Sequence, residues 1–75
     1  MKIEQTYIFK NGKPTYFVST MNRMSSTIPP VEYAETMGFE IDDKYNQIDI
    51  ADQAESHKDS LDGHERVVKR LRKRD

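Results

Sequence analysis

Two histidines come closest to a catalytic or metal-binding pattern in this chain of 75 residues. His57 and His64 are seven positions apart, and Glu65 follows the second. On a helix this spacing separates the two side chains by about 10.5 Å along the axis, which is too far for one shared metal ion. The sequence has no cysteine and no HExxH-type spacing. We interpret His64 as a packing histidine, with a pH-sensitive or partner-binding role as the alternative.

Hydroxyl and carboxylate side chains elsewhere also lack the surroundings that catalysis requires. Ser19 and Thr20 occur in YFVST without the glycines of a nucleophile elbow. Asp42-Asp43 and Asp49-x-x-Asp52 lack the glycine-containing spacing of an EF-hand loop, so we interpret residues 42–52 as a solvated acidic segment, with a hard-cation site as the alternative. We predict no enzymatic activity, no metal and no cofactor.

Composition describes a small chain with a thin core. Apolar residues are 35% of the total and charged residues 33%. A chain of this size buries a small fraction of its surface, so self-association into a homo-oligomer is one way to bury more. Disulfides are excluded by the absence of cysteine, and no apolar run approaches the roughly 18 residues of a membrane span. We predict a cytoplasmic protein without a membrane partner.

Charge is distributed unevenly although the net charge is only −1. Residues 40–62 contain eight acidic residues and two lysines, a net charge of −6. Residues 63–75 contain six basic residues and two acidic ones, a net charge of +4. This asymmetry predicts electrostatic attraction of a partner, or of the two segments to each other.

The N-terminal stretch KIEQTYIFK-NG-KPTYFVST predicts a β-hairpin over about residues 2–21. Asn11-Gly12 is the pair that a two-residue type I′ turn favours, because both turn positions need a positive φ. Uninterrupted pairing from a turn closed by Lys10 and Lys13 predicts these opposed pairs: Phe9 with Pro14, Tyr7 with Tyr16, Gln5 with Val18, and Ile3 with Thr20.

The stretch VEYAETMGFEID follows a polar, proline-containing loop at residues 22–31 and has two interpretations. Pro30 suits the first turn of a short helix that ends at Gly38. Alternatively, a strand over about residues 32–42 would give the hairpin the further partner that it needs. The alternating apolar residues of that strand would be Tyr33, Met37, Phe39 and Ile41.

Residues 43–55 are predicted as an acidic turn and connection, and a helix follows over about residues 57–73. QIDIADQ would be a short edge strand or an extended segment with Ile48 and Ile50 pointing inward. Ser56-x-x-Asp59 predicts a capping box at the start of the helix. Gly63 inside the helix costs about 1 kcal/mol relative to alanine, which predicts a close approach to the sheet. The apolar stripe of the helix is Leu61, His64, Val68 and Leu71.

Three short motifs in chain order, YFVST, ETMGF and GHERVV, resemble a group of small phage and prophage proteins of unknown function. In that group a VST strand leads through a variable loop to an ETMVF strand, and a helix carrying Gly-His-Glu follows. Gly38 replaces the bulkier residue of that pattern, and residues 42–55 match it loosely. The resemblance favours a strand for ETMGF, implies a location in the host cytoplasm, and implies no activity.

The predicted fold is α+β in one domain, residues 1–75: an N-terminal hairpin extended to a three- or four-stranded antiparallel sheet, with one C-terminal helix packed on one face. The second face of the sheet would be covered only by its own side chains and would make an apolar patch suited to docking. The predicted patch residues are Thr6, Ile8, Phe17 and Ser19. The predicted core residues are Ile3, Tyr7, Phe9, Tyr16, Val18, Met37, Phe39, Ile41, Leu61, His64, Val68 and Leu71.

These patterns favour a non-enzymatic protein–protein interaction module, either an accessory factor or an inhibitor of a host system. The alternative is a nucleic-acid-binding accessory protein that uses the basic helix to neutralise phosphates. The overall acidic balance and the competing acidic segment argue against that alternative. Its contact residues would be Arg66, Lys69, Arg70, Arg72, Lys73 and Arg74.

Overall fold

The fold is a four-stranded antiparallel sheet with a C-terminal helix lying across one face. The computed structural model describes the backbone of residues 2–74 and the side chains of residues 4–74. The strands are neighbours in chain order, each paired with the next. The predicted α+β class, including the fourth strand, is confirmed. The elements are β1 (Lys2–Lys10), β2 (Lys13–Met24), β3 (Glu32–Ile41), β4 (Gln47–His57) and α1 (Asp62–Lys73).

The β1–β2 turn has the predicted geometry. Asn11 and Gly12 have φ values of +54° and +76°, both in the left-handed region that asparagine and glycine tolerate. Lys10 pairs with Lys13 and Phe9 pairs with Pro14, as predicted. The hairpin therefore begins in the expected register.

A β-bulge then changes which face of β1 is buried. After the Phe9–Pro14 pair, Ile8 pairs with Tyr16, so Thr15 is an extra residue in β2. The predicted pairs beyond Phe9–Pro14 are therefore wrong. Because side chains alternate with a period of two, this shift of one residue turns the β1 side chains from Ile8 back to Glu4 to the face opposite the predicted one. The observed pairs are Tyr7 with Phe17, Thr6 with Val18, Gln5 with Ser19, and Glu4 with Thr20.

Residues 32–41 form a strand, so the strand interpretation of VEYAETMGFEID is confirmed and the short helix is excluded. The small residues of β3 face the helix: Ala34, Thr36 and Gly38 are all buried. The prediction that Met37 and Phe39 lie under the helix is wrong, because they alternate with these residues and point to the other side. Ile41 is buried, but outside the cluster beneath the helix.

β4 is longer than predicted and the helix is shorter. The segment predicted as an acidic connection is an eleven-residue strand with Ile48 and Ile50 exposed, so their inward orientation was wrongly predicted. The helix begins at Asp62 instead of residue 57. The predicted capping box does not form, because Ser56 belongs to β4 and its hydroxyl donates to the Ser60 carbonyl.

The core lies between α1 and the sheet. It consists of Ile8, Tyr16, Val18, Val67, Val68 and Leu71, with Ala51 and Ala54 packed against it. Tyr7 and Phe9, which were predicted for the core, are 46% and 53% exposed. Leu61 is half-buried, and Ile3 lies outside the described side chains. The predicted core positions of Tyr16, Val18, His64, Val68 and Leu71 are confirmed.

Two glycines allow the helix to approach the sheet closely. A Cβ at Gly38 would lie 2.8 Å from Leu71 Cδ1 and 3.0 Å from Val67 Cγ1. A Cβ at Gly63 would lie 3.3 Å from Thr36 Oγ1, which confirms the predicted close approach of this glycine to the sheet. Small residues on the facing surfaces thus set the spacing of helix and sheet.

Candidate functional site

The surface of the sheet opposite α1, here called the open face, carries two uncharged rows of side chains. The helix covers the alternating residues on the other side, so these rows point away from the core. The strand pairing places Tyr7, Phe17, Phe39 and Ile50 in one row across all four strands. The neighbouring row contains Gln5, Ser19, Met37 and Gln53.

The rings of the first row are in contact with one another. Tyr7 and Phe17 stack with centroids 4.7 Å apart and an interplanar angle of 30°. Phe17 and Phe39 stack at 6.3 Å and 18°. Aromatic pairs at these distances stabilise each other and restrict ring motion. The row therefore presents stacked rings as a continuous apolar surface.

The β3–β4 turn, residues 42–46, adds a ring at one end of the open face. Tyr45 contacts Tyr7 edge-on with centroids 5.3 Å apart. Tyr45 has a φ of +66°, and Asp42 holds this turn by accepting hydrogen bonds of 2.9 Å from the backbone N–H groups of Asn46 and Lys44. The hydrogen bond from the Asn46 backbone lowers the pKa of the Asp42 carboxyl. Asp42 therefore acts as a turn residue in this structure.

A shallow hollow lies at the other end of the open face. Its volume is about 90 Å³. It is bordered by one ion pair, Arg23 Nε to Glu35 Oε1 at 3.1 Å. An engineered cavity that holds benzene measures about 150 Å³, so this hollow suits the end of a side chain better than a separate ligand. Its lining residues are Ser19, Met21, Arg23, Glu35, Met37 and Phe39.

The predicted docking patch is divided between the two faces of the sheet. Phe17 and Ser19 lie on the open face. Thr6 and Ile8 do not: Ile8 is part of the core, and the Thr6 hydroxyl is 2.8 Å from His64 Nε2. The Thr15 bulge causes the error, because it reverses the orientation of β1 relative to uninterrupted pairing. The prediction of an uncovered apolar second face is right, but half of its residues are wrong.

The basic helix residues divide into two sets of three. One set holds α1 against β4: Arg66 donates to the Glu55 carbonyl at 3.0 Å, Arg74 donates to the Ala51 carbonyl at 3.2 Å, and Arg70 forms two hydrogen bonds with Asp52. The other set has no side-chain hydrogen bond or ion pair among residues 4–74 and lines the groove between α1 and β1. It consists of Lys69, Arg72 and Lys73.

Asp52 and Arg70 form the strongest electrostatic contact between helix and sheet. The distances are 2.6 Å from Arg70 Nε to Asp52 Oδ2 and 3.1 Å from Nη2 to Oδ1. The hydrogen bond from Arg70 lowers the pKa of Asp52, and the same bond raises the pKa of Arg70. The acidic middle and the basic end of the chain thus attract each other, which was one of the two outcomes that the charge pattern predicted.

His64 is buried in a network of hydroxyl groups. Its Nε2 lies 2.8 Å from the hydroxyl of Thr6, and its Nδ1 lies 2.8 Å from that of Thr20. The Thr20 hydroxyl also hydrogen-bonds Thr36. Burial lowers the pKa of His64, opposed by the charges of Glu4 and Glu65. The side chain is buried and both ring nitrogens have partners, as we expect of a packing histidine.

Comparison with known proteins leaves the sequence resemblance untested. No protein-family model matches the chain, and neither a curated protein nor a solved structure matches it. The described residues contain no group of three or more His, Asp or Glu side chains arranged to hold a metal ion. Across residues 2–74, α1 is too short and too polar to cross a membrane, and no other helix is present.

The sequence prediction missed most of the open face, because it assigned Tyr7, Phe9, Met37 and Phe39 to the core. One signal could have corrected β3: the small residues Ala34, Thr36 and Gly38 share a face, and a helix that itself carries a glycine needs small residues opposite it. For β1 the sequence signal is weaker. Proline near the start of a strand is compatible with a bulge but does not locate it.

Proposed function

We propose that this protein is a non-enzymatic protein–protein interaction module that docks a partner on the open face of its sheet. The single observation that carries the proposal is the uncovered row of Tyr7, Phe17, Phe39 and Ile50, which crosses all four strands. A contiguous apolar surface of this kind is usual at protein interfaces and unusual on surfaces that stay solvated. Aromatic residues and methionine, which are enriched at interfaces, dominate the face.

The electrostatics of the open face support a protein as the partner. The two central rows carry no charge, and the nearest ion pair, Arg23 with Glu35, is neutral as a unit. A nucleic acid would need basic residues beside the rings to neutralise phosphates. Three helix bases without a side-chain partner among residues 4–74, Lys69, Arg72 and Lys73, lie instead in the groove on the helix side of the sheet. The finer proposal, a phage-type accessory factor or inhibitor of a host system, rests on the three sequence motifs.

The test compares Ile50→Lys with Ile28→Lys. Both change an exposed isoleucine to lysine, but Ile50 lies on the open face at 53% exposure and Ile28 lies in the 25–31 loop at 98%. Each protein is immobilised, and the proteins retained from a bacterial extract are quantified. We expect wild type and Ile28→Lys to retain the same partner and Ile50→Lys to lose it.

Confirmation requires the purified partner. Calorimetric titration should give a negative heat-capacity change, because binding buries apolar surface, and an affinity at least about tenfold weaker for Ile50→Lys. Far-UV circular dichroism of each variant checks that the fold is kept. If Ile50→Lys alters neither partner binding nor self-association, the proposal is wrong.

A second candidate function, nucleic-acid binding, is favoured by one observation. Lys69, Arg72 and Lys73 all line the same groove between α1 and β1 without a side-chain hydrogen bond or ion pair among the described residues. Three bases on one helix side suit a few phosphate contacts. This candidate no longer includes Arg66, Arg70 and Arg74 as free contacts, because they bind β4.

A further inference from the structure

We propose that the partner on the open face is a second copy of the same chain, in a face-to-face dimer with two-fold symmetry. This inference rests on the proposed function, since it names the occupant of the same docking surface. Area, charge and shape each support it.

The area of the open face matches the requirement of a small specific interface. Four strands about 4.8 Å apart and about nine residues long, at about 3.3 Å per residue, give a face of roughly 570 Å². Two such faces bury roughly 1,100 Å² in total, which exceeds the threshold of about 1,000 Å² for a biological interface. Weak and transient complexes are common at this low end of the size range, so we expect a weak dimer.

The charge distribution allows the face to meet its own copy. Tyr7, Phe17, Phe39 and Ile50 are uncharged, as is the next row with Ser19 and Met37, so no like charges oppose each other at the centre. Binding to a different protein would not require the open face to be compatible with a copy of itself. On the opposite side of the molecule, α1 carries basic residues in its last turn.

The shape of the open face is self-complementary about one axis. The aromatic row, with Phe17 and Phe39 at its centre, lies on one side of the Ser19–Met37 pair, and the hollow of about 90 Å³ extends from Phe39 past this pair to Met21, Arg23 and Glu35 on the other side. The two-fold axis lies in the plane between the two sheets, along the line from Ser19 to Met37. Rotation about it places β2 of one copy over β2 of the other, with the strand direction reversed. It therefore places Phe17 of each copy over Met21 of the other and Phe39 over Glu35, two residues that line the hollow.

The resulting arrangement is a stack of two sheets about 10 Å apart, in which β2 and β3 of one copy cross the same strands of the other in the aligned packing of β-sandwiches. Each copy contributes the aromatic row and receives that of its partner, as an isologous interface requires. In this arrangement Ser19 of one copy faces Ser19 of the other.

The first test measures molecular mass against concentration by analytical ultracentrifugation, from about 1 µM to about 200 µM, a range that brackets a micromolar dissociation constant. We expect the mass to rise from 8.8 kDa towards twice that value. Ile50→Lys should weaken the dimer by about 30-fold or more, because it places an unpaired charge in the apolar row of the interface. Ile28→Lys is the control and should dimerise like wild type.

The second test uses the position of the axis. Ser19→Glu and Ser19→Arg each place like charges opposite each other, so each variant alone should remain monomeric. An equimolar mixture pairs opposite charges and should restore a dimer of one copy of each variant. Far-UV circular dichroism and thermal unfolding of both variants check that the sheet is intact.

The outcomes separate the two proposals. A wild-type chain that stays monomeric at about 200 µM, while a different protein binds in an Ile50-dependent manner, would overturn the dimer and leave the docking function standing. A dimer that Ile50→Lys and Ser19→Glu do not weaken would overturn the assigned interface. If neither self-association nor partner binding depends on the open face, both proposals fail.

Discussion

The buried His64 illustrates how a titratable side chain is accommodated by neutral partners. Threonine hydroxyls can donate or accept, so Thr6 and Thr20 satisfy either neutral tautomer of the imidazole ring. An imidazolium, in contrast, would be a charge in a site that is only 5% exposed. The charges of Glu4 and Glu65 favour the charged form and partly offset this cost. The surroundings therefore favour the neutral ring.

This preference predicts that stability depends on pH. The unfolded chain binds a proton at His64 below its ordinary pKa near 6.5, whereas the folded chain resists protonation until a lower pH. The stabilisation from the neutral His64 ring is thus fully present above a pH of about 6.5. It is lost as the pH falls towards the lower pKa that His64 has in the folded protein. We expect the free energy of unfolding, measured with urea, to decrease between pH of about 7.5 and 5.

Matched glutamine variants isolate the contribution of His64. His64→Gln should remove most of this decrease, because an amide keeps a donor and an acceptor but does not titrate. His57→Gln, at an exposed position of β4, should leave the decrease unchanged. The lowered pKa values of Asp42 and Asp52 act below their ordinary value of 3.8, outside this interval. An equal pH dependence in wild type and His64→Gln would contradict the prediction.

Gly38 is a residue of β3 that the helix approaches closely, and the structure shows why a larger side chain would not fit there. A Cβ there would lie 2.8 Å from Leu71 Cδ1 and 3.0 Å from Val67 Cγ1, both in buried side chains. We expect Gly38→Val to lower the free energy of unfolding by about 1–3 kcal/mol through overpacking.

The control for Gly38→Val is Ser19→Val, which adds a valine to the neighbouring strand on the open face. It should change stability by about 0.5 kcal/mol or less, since no helix covers that position. Urea unfolding of dilute protein gives both values with little contribution from self-association. A Gly38→Val variant as stable as wild type would show that the helix can move away from the sheet at low cost.

At the scale of elements, the Thr15 bulge determines the two surfaces of the hairpin. Without it, Tyr7 and Phe9 would lie beneath the helix and Ile8 would be exposed. With it, Ile8 is 3% exposed and packs with Tyr16 and Val18, while the rings join the open face. The bulge therefore determines which β1 side chains enter the core and which lie on the open face.

Alanine substitutions on β1 test this register. Ile8→Ala should lower the free energy of unfolding by about 2–5 kcal/mol, because it removes a fully buried side chain. Tyr7→Ala should cost about 1 kcal/mol, the loss of its stacking on Phe17. Denaturant unfolding of dilute protein measures both. A larger loss for Tyr7→Ala than for Ile8→Ala would indicate the uninterrupted register instead.

At the scale of the whole molecule, the acidic middle and the basic end of the chain attract each other partly through contacts within the chain. Arg70 binds Asp52, and Arg66 and Arg74 bind carbonyl oxygens of β4, so half of the basic set holds the helix in place. Only Lys69, Arg72 and Lys73 remain for an external anion. The number of free bases limits how strongly the helix can bind nucleic acid.

This limit predicts the salt dependence of any DNA or RNA binding. With three phosphate contacts, the slope of log K against log salt concentration should be no steeper than about −3, and binding should be no tighter than the non-specific range of about 10⁻⁴–10⁻⁶ M. Fluorescence anisotropy at several salt concentrations measures both quantities. Neutralising Lys69, Arg72 and Lys73 to glutamine should abolish binding.

The matched control neutralises Arg66, Arg70 and Arg74, which changes the net charge by the same amount. It should loosen the helix from β4 and leave nucleic-acid binding largely intact. A slope near −5, or an equal loss in both triple variants, would mean that all six bases contact phosphate and would favour the nucleic-acid function.

The sequence by itself determined the features that depend on local backbone conformation and periodicity. Asn11-Gly12 located the hairpin turn, because few residue pairs tolerate positive φ twice in succession. The spacing of His64, Val68 and Leu71 identified the buried stripe of the helix, because a helical repeat depends only on neighbouring residues. The α+β class followed from these local elements.

Tertiary structure alone decided which side of each strand is buried. Strand faces alternate with a period of two, so one extra residue at Thr15 exchanges core and surface along β1 without changing the local pattern. On β3, contact with a closely packed helix selected Gly38 over Phe39, although hydrophobicity favours the phenylalanine. The open face, and with it the proposed dimer, results from these long-range contacts.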